Sequence, residues 1–180
     1  MALGAMLLLG ACASGAGLPP LPERTAGAYA LGAGDQLRVT VFNDPRLTGE
    51  FRITDTGTIA LPLVGAIPAA GRTTTQLERA IERSLKERNL FNDPSVAVEV
   101  NEYRPVFVLG MVERGGQTPY QPGMSVLSAV AVMGGFNYRA VTSRVSVVRT
   151  GPDGVPREYL GERQSLLQPG DVVTVFERGF

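Results

Sequence analysis

Leu31-Gly32-Ala33-Gly34-Asp35-Gln36-Leu37-Arg38-Val39-Thr40-Val41 is followed, after a short polar stretch, by Asp55-Thr56-Gly57-Thr58-Ile59-Ala60-Leu61-Pro62-Leu63-Val64-Gly65. Gly34-Asp35 is a turn dipeptide, and Leu37, Val39 and Val41 then alternate with Gln36, Arg38 and Thr40, the period-two pattern of a half-buried strand. Asp55-Thr56-Gly57 predicts a second tight turn. It sets Ile59, Leu61 and Leu63 on one face of a short strand that Pro62 confines to an edge or a bulge. Gly34 and Gly57 are the residues that allow these turns. Neither phrase carries a nucleophile with a base beside it, so both read as scaffold and contact surface.

Working outward, Arg72 to Leu90 is the best predicted helix. Thr75 and Glu78 have the spacing of a capping box, and Leu77, Ile81 and Leu85 fall on one face. Glu82 and Lys86 form an i,i+4 pair, while Arg79, Arg83, Glu87 and Arg88 make a solvated outer side. Asn92-Asp93-Pro94 breaks the helix, and Val96, Val98 and Val100 resume strand alternation. A boundary is expected near Tyr103 to Pro105. Beyond it, Val106 to Leu109 is apolar on both faces, as a central strand would be. Ser125 is placed to cap a short helix from Val126 to Met133 that Gly134-Gly135 ends. Arg144 to Arg149 and Arg157 to Leu160 read as strands around the turn Gly151-Pro152-Asp153-Gly154. Gln168-Pro169-Gly170-Asp171 repeats the Gly-Asp entry of the first unit and launches Val172 to Phe176. Gly170 is expected to tolerate substitution least. The fold class is α+β: a small mixed sheet with one amphipathic helix, then a second β-rich unit.

Composition narrows the function. The chain has 180 residues, 17 basic and 17 acidic side chains, one cysteine, no histidine and no tryptophan. A formal charge of zero disfavours a nucleic-acid partner. The missing histidine removes the commonest general base and metal ligand, so no metal site and no cofactor are expected. Asp35, Asp44, Asp55, Asp93 and Asp171 could be paired as glycosidase carboxylates. Most stand beside Gly or Pro, where aspartate closes a turn, so no catalytic residue is assigned and no enzyme is expected.

Met1 to Ala11 is small and apolar, too short to span a bilayer and the right length for the apolar core of a secretory signal. Its first charge is Glu23, which leaves a start upstream of Met1 open. Leu9-Gly10-Ala11-Cys12 resembles the lipobox of bacterial lipoproteins, in which the cysteine is acylated after cleavage; Cys12 is therefore the expected lipid attachment. A Gly/Ala/Pro-rich tether follows. Ala13-Ser14 lacks the aspartate associated with inner-membrane retention, which by that resemblance points to the outer membrane.

The ordered phrases Leu31-Gly-x-Gly-Asp-x-Leu-x-Val-x-Val, Asp55-x-Gly-x-Ile-x-Leu-Pro-Leu-x-Gly, Gly71-x-Thr and Pro94-x-Val-x-Val resemble the polysaccharide biosynthesis/export domain. Pro105 to Val112, Pro122 to Leu127, Met133 to Phe136 and Pro169-Gly170-Asp171 resemble the soluble-ligand-binding β-grasp domain that follows it in such proteins. The division expected is a signal peptide at 1–11, a lipidated tether at 12–27, an export domain at 28–103 and a β-grasp domain at 104–180. The resemblance implies a periplasmic body held to the outer membrane, a homo-oligomeric ring, a polysaccharide substrate and an inner-membrane chain-length-regulating partner. The residues that contact polysaccharide are not assigned. Phe180 follows Asp171 too closely for a membrane-crossing helix of about 20 residues, so a separate outer-membrane pore protein is expected. The alternative is a free-standing periplasmic glycan-binding or adhesive lipoprotein.

Overall fold

The computed structural model of the protein describes residues 15–23, 29–151 and 153–179; Cys12, the 1–11 segment and part of the tether lie outside them. The strands are β1 Gln36–Val41, β2 Gly49–Arg52, β3 Thr58–Leu61, β4 Gly65–Pro68, β5 Val96–Glu102, β6 Val106–Gly110, β7 Gly116–Thr118, β8 Ala140–Thr150, β9 Pro156–Glu162 and β10 Val172–Glu177. The helices are α1 Thr74–Glu87 and α2 Val126–Val132. The α+β class expected from the sequence is what the chain adopts. Among the described residues no helix is long and apolar enough to cross a membrane.

Two hydrophobic cores form. In the first, β1 lies between β2 and β5 in an antiparallel sheet, with the β3–β4 hairpin beside it. Leu37, Val39 and Val41 of β1, Val96 and Val98 of β5, and Leu77, Ile81 and Leu85 of α1 are buried in it together. Each such side chain contributes roughly 1.5–3 kcal/mol on leaving water. In the second, β7-β6-β10-β8-β9 form a mixed sheet in which only β6 and β10 are parallel, and α2 buries Val126, Ala129 and Val130 against one face.

Several local expectations are corrected. The capping box of α1 is Thr73 with Gln76, not Thr75 with Glu78. Both pairs fit the spacing; Glu78 is engaged elsewhere. Its Oε1 accepts the Val98 N–H at 2.9 Å, and Glu82 Oε1 accepts the Val96 N–H at 3.2 Å. Two carboxylates one turn apart thus cover the outward amides of edge strand β5, an arrangement that blunts edge-to-edge association. Glu82 is consequently not the partner of Lys86, which meets Asp93 at 3.5 Å. The double variant Glu78→Ala/Glu82→Ala should lose about 1.5–3 kcal/mol per bond in urea denaturation and associate with rising concentration. Glu78→Gln/Glu82→Gln, which keeps both acceptors, should associate less. Equal light scattering from all three proteins would refute the guarding role.

Strand β3 ends at Leu61. Leu63 sits at the hairpin tip with φ +63° and is 63% exposed, so it does not extend the apolar face. On β6, Val106 and Val108 are fully buried but Phe107 and Leu109 are 39% and 46% exposed, because α2 covers only one side of the sheet. The tightest glycine is not Gly170. A Cβ on Gly110 would lie 2.3 Å from the Val175 carbonyl oxygen, where β6 crosses close to β10, whereas one on Gly170 meets nothing nearer than 3.8 Å.

Candidate functional site

The polar groups buried most deeply lie where the two cores meet, and each is built on a Gly-Asp turn. In Gly32-Ala33-Gly34-Asp35 the Asp35 N–H donates to Gly32 O at 3.1 Å, and Gly34 has φ +97°. In Gln168-Pro169-Gly170-Asp171 the Asp171 N–H donates to Gln168 O at 3.1 Å, and Gly170 has φ +88°. Both are type II in form: the third position needs positive φ, which glycine supplies, and Pro169 suits the second. Each aspartate then folds back on its own turn. Asp35 Oδ2 accepts the Gly32 N–H and Asp171 Oδ2 the Gln168 N–H, both at 2.8 Å.

Folding back buries the carboxylates, at 0% exposure for Asp35 and 1% for Asp171. A buried charge requires a partner. For Asp35 it is Arg104, from the segment joining the two cores. The Arg104 backbone N–H donates to Asp35 Oδ1 at 3.1 Å, and its Nε lies 3.3 Å from the same oxygen in an ion pair. Tyr29 closes the group: its hydroxyl donates to Asp35 Oδ2 at 2.7 Å and accepts from Arg104 Nη2 at 3.0 Å. The Arg104 side chain also lies against both turns, so that a Cβ on Gly34 would come 3.3 Å from its Cγ and one on Gly170 3.8 Å from its Nη1. Tyr103 stacks edge-on against Tyr29 and Tyr120, with centroids 5.2 and 5.4 Å apart, and so links the two cores through rings.

For Asp171 the cation is Arg149 of β8, which binds it with two bonds, Nε to Oδ1 at 3.0 Å and Nη2 to Oδ2 at 2.7 Å. Arg149 also donates to Leu166 O at 3.2 Å and Pro22 O at 3.4 Å. The second contact holds the N-terminal segment. That segment pairs with edge strand β9: Leu160 N–H donates to Pro19 O and Leu21 N–H to Leu160 O, both at 2.8 Å. Residues 19–22, expected to be tether, are therefore bonded to the second sheet.

Of the five aspartates considered as carboxylate pairs, Asp35 and Asp171 are each bound by an arginine. Asp44 is bound by Arg46 at 2.7 Å, Asp93 meets Lys86, and Asp55 accepts the Thr56 N–H. Among the described residues no group of three His, Cys, Asp or Glu side chains could hold a metal ion. Arg104, Tyr29, Tyr103 and Arg149 were missed by sequence reasoning. The repeated Gly-Asp turn was the available signal, since an aspartate folded onto its own turn in a strand-entry position demands a cation.

Burial first, and then the Asp35 carboxylate, push the Tyr29 phenol well above its usual range. A raised phenol contributes stability that is complete below the unfolded value near 10 and is lost as pH rises past it toward the folded value. Denaturation free energy should fall above about pH 10, and the fall should be shallower in Tyr29→Phe. Identical slopes in the two proteins would contradict this.

The fold and this joint define a two-core β-rich scaffold whose buried charges serve architecture. Residues 23–101 match the family model described as polysaccharide biosynthesis/export protein, and over them the chain belongs to that family. The chain is 33% identical over 174 residues to the exopolysaccharide production protein ExoF of Rhizobium meliloti (strain 1021), covering 89% of this chain and 40% of that protein. It is 27% identical over 183 residues to the EPS I polysaccharide export outer membrane protein EpsA of Ralstonia solanacearum, with 83% and 48% covered. It is 35% identical over 135 residues to the capsule polysaccharide export outer membrane protein CtrA of Neisseria meningitidis serogroup A, with 68% and 33% covered. The chain thus spans less than half the length of these relatives.

Proposed function

We propose that this chain is a periplasmic, outer-membrane-attached component of a polysaccharide export assembly, anchored by acyl chains on Cys12 and working by conduction, without making or breaking bonds. The observation that carries the reading is the family match over residues 23–101, the stretch that holds the first core. Relatives named for capsule and exopolysaccharide export, aligned across both cores, support it. In this reading residues 28–103 are the export domain and 104–180 the β-grasp domain, joined at Arg104. Several copies assemble into a ring around the polymer, and an inner-membrane chain-length-regulating protein docks on it. Two acyl chains suffice for stable attachment, since each buried methylene contributes about 0.8 kcal/mol.

Deleting the gene tests the function. Surface or secreted polysaccharide should disappear while repeat units accumulate inside the cell; normal output would move the chain to the free-standing glycan-binding class. Cys12→Ser tests the anchor separately and should release the protein from the outer-membrane fraction.

A further inference from the structure

The flank of α1 that turns away from β5 forms a cleft with the β3–β4 hairpin. Glu78 and Glu82 face β5, and the neighbouring stripe of Ala80, Arg83, Ser84 and Glu87, at i, i+3, i+4 and i+7, lines the cleft with β4. Ile67 and Pro68 of β4 line the other wall, and the buried Ile67 and Ala80 lie at its base. Arg72 completes the lining from the loop that leads into α1. Its backbone is fixed there: Arg72 N–H donates to Ala69 O at 3.2 Å, and its carbonyl accepts the Leu31 N–H at 2.9 Å. The cleft is open and holds about 170 Å³, less than the roughly 300 Å³ at which pockets for drug-sized ligands begin. It has room for one small unit of a larger ligand.

The polar side chains of this cleft are uncommitted. Elsewhere in the first unit Arg38, Arg46, Arg52 and Lys86 each meet a carboxylate. Among the described residues the side chains of Arg72, Arg83, Ser84 and Glu87 make no hydrogen bond or ion pair, although Arg83 and Glu87 stand at i,i+4. The sequence pattern assigns Arg83 and Glu87 to a solvated side of the helix; the hairpin brings them into one cleft with Arg72. Two guanidinium groups against one carboxylate leave it cationic. A guanidinium fork matches a carboxylate with two parallel bonds, and Glu87 and Ser84 present oxygens that suit hydroxyl groups. The Glu87 charge at the same time disfavours a phosphate dianion. Ile67, Pro68 and Ala80 offer an apolar base for the C–H face of a ring.

We propose that this cleft binds an acidic sugar unit of the polysaccharide, with its carboxylate on Arg72 and Arg83 and its hydroxyls on Ser84 and Glu87. The inference rests on the export reading for the source of the sugar, and it adds a contact site and a substrate class, a polymer that carries carboxylates. Solvent-facing guanidinium groups around a small open cleft give weak, salt-sensitive binding. A passage for polymer needs such binding, since each unit must leave as readily as it enters.

The test titrates the full chain with tetragalacturonate, a chain of carboxylated sugars, with the neutral maltotetraose and with inorganic phosphate, and follows backbone amide shifts. Tetragalacturonate should move amides within residues 66–72 and 80–87 and bind at least about tenfold tighter than either control. Arg72→Gln/Arg83→Gln should weaken it about tenfold or more, the worth of one charge-assisted bond. Arg79→Gln, which removes an exposed charge of the same helix outside the cleft, should leave it unchanged. Maltotetraose or phosphate binding as tightly, no amide shift in these residues, or undiminished binding by the double variant would overturn the site. The gene deletion separates the two readings: normal polysaccharide output beside arginine-dependent binding keeps the site and sinks export, and lost output without binding does the reverse.

Discussion

Asp35→Ala should uncouple the two cores and lower stability by about 3–5 kcal/mol, the cost of breaking an ion pair whose carboxylate is fully buried. The substitution removes the acceptor of Gly32 N–H, Arg104 N–H and the Tyr29 hydroxyl at once, and it strips the ion pair from Arg104, whose buried Nε makes no hydrogen bond. Gly32 and Tyr29 belong to the first core or its entry turn; Arg104 belongs to the connection. The second core keeps its own Asp171–Arg149 pair. Urea denaturation followed by amide exchange should therefore show protection lost across residues 29–103 before 106–177, whereas the parent protein should open both together. Asp35→Asn, which retains an oxygen acceptor without the charge, should lie between. A single transition with an unchanged midpoint for Asp35→Ala would remove the joint from the energetics of the fold.

Much of this architecture is legible from periodicity. Leu37, Val39 and Val41 announce β1 because a sheet with one wet face needs alternation, and the Leu77, Ile81 and Leu85 stripe announces α1 because a helix covers that sheet on one side. What periodicity does not encode is side-chain commitment across long separations. Thr73–Gln76 and Thr75–Glu78 are equivalent as capping boxes in sequence, and the choice between them follows from Glu78 reaching β5, twenty positions away. Leu63 matches the strand alternation, yet Pro62 removes the amide that would continue the ladder, and the chain turns instead. Val106 to Leu109 reads as central because both sets are apolar, but burial depends on what covers each face, and among the described residues no helix lies over one face of the second sheet. The joint is the extreme case. Arg104 is 69 positions from Asp35 and Tyr29 is 75 from Arg104, so nothing local pairs them. The legible part was the recurrence of Gly-Asp at two strand entries, which marks both aspartates as a class before either partner is known.

Arg149→Met and Asp171→Leu, taken singly, should each cost about 3–5 kcal/mol, and together they should cost less than the sum by roughly 2 kcal/mol or more. Arg149 and Asp171 are 9% and 1% exposed as side chains and joined by two bonds. Removing either one leaves a full charge in the second core without its ion-pair partner, while removing both leaves two apolar side chains of similar bulk among Val147, Val173 and Leu167, which are themselves buried. The cycle does not close to zero, because each member has further duties. Asp171 accepts the Gln168 N–H that closes the last turn, and Arg149 binds Leu166 O and Pro22 O. Arg149→Met should thus also loosen the N-terminal segment from β9, visible as faster proteolysis within residues 15–23, an effect that Asp171→Leu should produce more weakly because the guanidinium still reaches both carbonyls. Strict additivity of the two substitutions in urea denaturation would mean that the pair is not coupled. Equal protease sensitivity in the two single variants would show that the segment is held by its pairing with Leu160 alone.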